Sequence, residues 1–138
     1  MSRFEVVVKN VTPPKTDGSN QPVLITKETA MERKEKILSL MKENGFSSLI
    51  IYADKEHGGS FEYLTGFIPR FEEALQILNV DGTSTLILGN ENYNKTKHAL
   101  VESNGILCPL FSLPNQPMAN FRPVEFYLGQ AEIDQTKK

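Results

Sequence analysis

Apolar and polar positions along the chain change period several times, and each change marks an element. Phe4–Val8 reads FEVVV and Pro22–Thr26 reads PVLIT, two runs rich in β-branched residues separated by the turn formers PPKTDGSN, which predicts two strands and an exposed loop. Ala30, Ile37, Leu38 and Met41 then recur at helical spacing behind a Thr29/Glu32 capping-box pair, and Gly45 stands where a helix would stop. The continuous apolar run Phe46–Ala53 (FSSLIIYA) is too short for a second helix and reads as a central strand. Asp81-Gly82 between two further apolar runs predicts an antiparallel hairpin, with strands over roughly 72–80 and 83–88. A second helix is expected over about 91–103, closed by Asn104-Gly105, before a short strand at ILCPLF. The Pro-punctuated stretch that follows cannot stay regular for long. The expected fold is therefore α/β, a mixed β-sheet flanked by helices.

A length of 138 residues favours one domain over 1–138, with a β-rich extension over 1–28 and an irregular segment over 114–138. The formal charge of −2, with acids and bases interleaved, leaves no basic footprint for nucleic acid or an anionic membrane. No apolar stretch approaches a membrane span, and the lone Cys108 cannot close an internal disulfide. A soluble cytoplasmic protein is the expectation, with neither nucleic acid nor membrane as partner.

Candidate chemistry is sparse. Asp54, Glu56 and His57 follow the expected central strand, where open α/β sheets place ligands, and such a trio could ligate a metal or shuttle protons in a small enzyme. The sequence DKEHGG is also that of a solvated turn, the reading preferred here. His98 reads as an exposed surface residue and Cys108, in an apolar run, as a buried core thiol. Ser47, Ser48 and Ser60 lack the context of a nucleophile elbow, and Gly58-Gly59 lacks the lysine and spacing of a phosphate loop. Glu72 and Glu73 are adjacent, so on a strand they would face opposite sides and could not work as one dyad.

The order of elements carries more. A helix beginning Met31-Glu32-Arg33, then GFSSLIIY, a polar loop, EYLTGF, PRFEEALQIL, an Asp-Gly turn and TLILGNEN resembles the N-terminal domain of the creatinase, prolidase and Xaa-Pro aminopeptidase family, over roughly residues 29–113. The resemblance implies a mixed sheet related to the ribonuclease H architecture. It also implies that catalysis belongs to a separate C-terminal domain, which in the peptidases holds a pair of divalent metals, so that this chain carries no catalytic residue, metal ligand or cofactor of its own. Its expected partners are that catalytic domain and a second subunit in a homodimer, and it would help wall the substrate cleft. On this resemblance Tyr63, Phe67, Arg70, Glu72 and Glu73 are the candidates for cleft or subunit contact. The planar fork of Arg70 suits a carboxylate such as a peptide C-terminus, with pairing to Glu72 or Glu73 as the plainer alternative. A stand-alone binding or assembly module that keeps the fold without a hydrolase domain is the alternative reading.

Overall fold

A computed structural model describes residues 4, 6–14, 18, 24–133 and 136. The first helix, α1 (Lys27–Glu43), starts earlier than the Thr29/Glu32 pair implied: Thr26 is its N-cap, with its hydroxyl accepting the Thr29 N–H at 3.2 Å. It ends as the sequence predicted. Gly45 adopts φ +70°, and the Phe46 N–H reaches back to the Met41 carbonyl at 2.9 Å, closing the last turn.

The sheet comprises β1 (Ser48–Ala53), β2 (Ala74–Asn79), β3 (Ser84–Leu88) and β4 (Asn104–Leu107) in the order β1-β2-β3-β4. The first three strands are antiparallel neighbours and β4 runs parallel to β3, so the sheet is mixed. The Asp81-Gly82 turn forms the predicted hairpin: Gly82 takes φ +93°, and the Asp81 carboxylate accepts the Thr83 N–H at 2.8 Å. β2 and β3 are buried along their whole length and are the central strands. β1, expected at the centre, lies at the edge of the sheet.

Alternation along β2 and β3 sorts the core onto two faces. Leu78, Leu86 and Leu88 meet α1 and the short helix α2 (Gly59–Thr65) through Ala30, Leu38, Met41, Phe61 and Leu64. On the other face Leu75, Ile77 and Ile87 pack with Cys108, Phe111, Tyr127 and Ala131. Tyr127 lies on α3 (Val124–Gln130) and Ala131 caps it, inside the segment expected to be irregular; Pro123 starts this helix and the spacing of its two buried residues docks it.

Three further expectations are corrected. The helix over 91–103 is only a 3-10 turn, Tyr93–His98, because Asn104-Gly105 enters β4 instead of capping a helix, and a Cβ at Gly105 would stand 2.8 Å from Thr96. α2 occupies part of the stretch expected to be a polar loop. The described residues of the β-rich extension, Phe4, Val6–Pro14, Gly18 and Leu24–Thr26, form no strand, and those of FEVVV stand in solvent beside no partner strand. Glu5, Pro22 and Val23 lie outside the described residues. No helix among the described residues is long and apolar enough to cross a membrane.

Candidate functional site

Arg70, Phe71 and Glu72 enter β2 through a corner held by residues distant in sequence. The Asn92 side chain grips the backbone of Arg70 on both sides, accepting its N–H at 3.3 Å and donating to its carbonyl at 3.1 Å. The same amide donates to the Glu72 carboxylate at 2.6 Å. Glu72 is buried, and its two oxygens also receive the backbone N–H groups of Glu91 and Asn92 at 2.9 and 3.0 Å. A buried carboxylate that accepts three hydrogen bonds is well compensated, and each bond to its charge is stronger than a neutral one. Gly89 makes room for it, since a Cβ there would lie 2.6 Å from the Glu72 carboxyl and 2.8 Å from the Phe111 backbone.

Between these two anchored residues Phe71 takes φ +65°, a left-handed conformation that a bulky side chain adopts only under constraint. Its ring is exposed, and the Arg70 guanidinium sits 5.5 Å from the ring centroid. Arg70 pairs with neither Glu72 nor Glu73: the first carboxylate is consumed by the Asn92 corner, and among the described residues the guanidinium forms no ion pair. Lys95 stands nearby, with its ammonium 5.6 Å from the Phe67 ring centroid. Burial and then the charge of Arg70 hold Lys95 below its ordinary pKa, against the opposing pull of Glu72. Two cations thus lie against two aromatic rings, with the Glu72 carboxylate close enough to act on Lys95.

The other predicted residues fall elsewhere. Tyr63 faces α1, where Arg33 stacks on its ring at 4.3 Å and donates to its carbonyl at 2.8 Å. Phe67 is half-buried in an edge-to-face contact with Phe61 at 5.3 Å. Between them Thr65 donates to the Phe61 and Phe67 carbonyls, while Gly66, at φ +77°, leaves space that a Cβ would take from Leu100. The YLTGF stretch is thus a structural corner. Glu73 is exposed where Glu72 is buried.

Asp54, Glu56 and His57 form a self-contained turn. One Asp54 oxygen accepts the backbone N–H groups of Glu56 and His57, and the carboxylate meets His57 Nδ1 at 2.9 Å. The hydrogen bond from His57 lowers the Asp54 pKa, and the same contact raises that of His57. The His57 side chain is 75% exposed. Asp54, Glu72 and Glu73 do line one cleft of about 340 Å³. Among the described residues no three His, Cys, Asp or Glu side chains gather closely enough to hold a metal ion. His98 is exposed, and Cys108 is buried with its thiol pKa pushed up chiefly by that burial.

No family model matches the chain, and no curated protein does. Among solved structures it is similar to the crystal structure of the dipeptidase PepE from Mycobacterium ulcerans, at 14% sequence identity and a TM-score of 0.47. The likeness takes in 62% of this chain and 24% of the dipeptidase, so the chain spans about a quarter of that protein's length. So distant a likeness identifies neither substrate nor chemistry.

Sequence reasoning missed Asn92, Gly89, Phe71 and Lys95. The first two stand in GNEN, so a Gly-x-x-Asn step closing an apolar strand was the available signal. Nothing local marks Phe71, whose conformation is imposed from 20 residues away by the bonds to Glu72.

Proposed function

We propose that this chain is the non-catalytic N-terminal domain of a cytoplasmic Xaa-Pro dipeptidase- or aminopeptidase-like metallohydrolase, where it walls the substrate cleft and supports subunit assembly. The observation that carries the reading is Arg70: its backbone is clamped by Asn92 while its guanidinium, beside Lys95, faces outward without a carboxylate partner among the described residues. A guanidinium fork without such a partner, carried on a clamped backbone, suits the C-terminal carboxylate of a short peptide. The motif order lends support, because PRFEEAL and GNEN, distant in sequence, interlock in one corner. A buried Glu72 and a strained Phe71 are more readily understood if the corner has something to present.

In this reading the divalent metal pair and the hydrolytic water belong to a C-terminal catalytic domain. This chain supplies orientation, with Arg70 and Lys95 holding the substrate's carboxylate and the Phe71 ring excluding water from one side. The buried, unpaired Cys108 is compatible with a reducing compartment. An immunoblot of source-cell lysate with an antibody against this chain tests the proposal. A band well above 15.5 kDa is expected. A band at the mass of the chain itself would contradict it and favour the stand-alone module.

A further inference from the structure

β1 is an edge strand without the usual protection. Its sequence, SLIIYA, contains neither a charge nor a proline, two of the devices that keep open edges from pairing with other chains. Ile50 and Tyr52 lie on the face of the sheet that α3 covers further along, yet they remain 47% and 46% exposed. The groove of about 580 Å³ along this strand is lined by Ile37, the strand itself and Tyr63, and no lining residue is charged.

The chain also carries a strand-like sequence that joins no sheet among the described residues. Phe4, Val6 and Val8 are 92%, 92% and 94% exposed. Their spacing of two would put them on one face of an extended strand. β-branched residues at that exposure gain nothing from the solvent and are suited to a pleated, half-buried setting. Val6–Val11 is six residues long, as is β1. Among the described residues β1 pairs with β2 alone, and no described residue of the arm joins the sheet.

We infer that the arm around Val6–Val11 of one copy adds as a strand to the β1 edge of a second copy, reciprocally, in a two-fold dimer. Main-chain hydrogen bonds would supply the pairing, and Phe4, Val6 and Val8 would extend the apolar face left open at Ile50 and Tyr52. The pairing uses neither Arg70 nor Lys95, so it stands or falls apart from the cleft-wall reading.

Sedimentation of the whole chain, beside Val6→Asp/Val8→Asp and Ile50→Lys variants, tests it, with hydrogen exchange read at Val6–Val11. The expected result is a species of twice 15.5 kDa with protected arm amides, reverting to a monomer with unprotected amides in either variant. The arm variant changes only solvent-exposed side chains and so leaves the domain folded, which circular dichroism verifies. A wild-type monomer overturns the inference, including one with a protected arm, which would mean pairing with its own β1. A dimer unaffected by either variant overturns it equally.

Discussion

Two turns at one end of the sheet line the same small cleft and are held in opposite ways. Asp54–His57 is stabilised by its own Asp54 carboxylate, over contacts two and three residues apart, and lies in solvent. Arg70–Glu72 is held by Asn92 and by backbone N–H groups 19 to 22 residues away, around a buried charge and a strained backbone. Asp54–His57 has the residue types of a reactive site and is local geometry. Arg70–Glu72 has the residue types of a plain strand entry and is constrained from a distance.

Breaking the two turns should separate them by stability. Asn92→Ala removes the clamp on Arg70 and one partner of a buried carboxylate, and should cost about 3 kcal/mol in denaturant unfolding. Asp54→Ala should leave the midpoint close to wild type. If the two variants lost similar stability, the contrast would fail.

Gly89→Ala tests the packing of the same corner. A methyl group there meets both the Glu72 carboxyl and the Phe111 backbone, so a loss of about 2 kcal/mol is expected from overpacking. Phe71→Gly should act in the opposite sense: relief of the left-handed strain outweighs the entropy cost of glycine, and stability should rise by about 1 kcal/mol. A Phe71→Gly loss would mean that the ring, rather than the backbone, matters to the corner.

The smallest effect is the pH response of Asp54–His57. The folded pKa of His57 is raised, so its contribution is complete below the ordinary imidazole value and disappears as pH rises through the folded one. That of Asp54 is depressed, so its contribution is present above the ordinary carboxylate value and is lost as pH falls through the folded one. The pair is therefore at full strength between the carboxylate and imidazole ranges. An NMR titration should find His57 above its ordinary pKa and Asp54→Asn should return it; an unshifted His57 in the wild type would mean the contact is not maintained in solution.

Legibility in the sequence followed the range of the interactions. The Asp81-Gly82 hairpin, the Gly45 stop and the apolar runs of β2 and β3 depend on neighbours, and each was readable. α3 was not, because only docking of Tyr127 and Ala131 against Leu75 and Ile77 distinguishes it from another irregular stretch. The apolar run of β1 announced a strand but not its place, since pairing order is a property of the whole sheet. At the candidate site Arg70 and Glu72 were identified, but their expected partnership was not what formed. Asn92 outcompetes Arg70 for Glu72, and no spacing rule links positions 72 and 92.

The role proposed for this corner is to present Arg70 to a substrate carboxylate. NMR titration of the whole chain with an Xaa-Pro dipeptide, and separately with its C-terminal amide, tests it most directly. Shifts confined to Arg70, Phe71 and Lys95 are expected with the free acid, absent with the amide and absent in Arg70→Ala. Equal shifts with acid and amide, or shifts that survive Arg70→Ala, would contradict it.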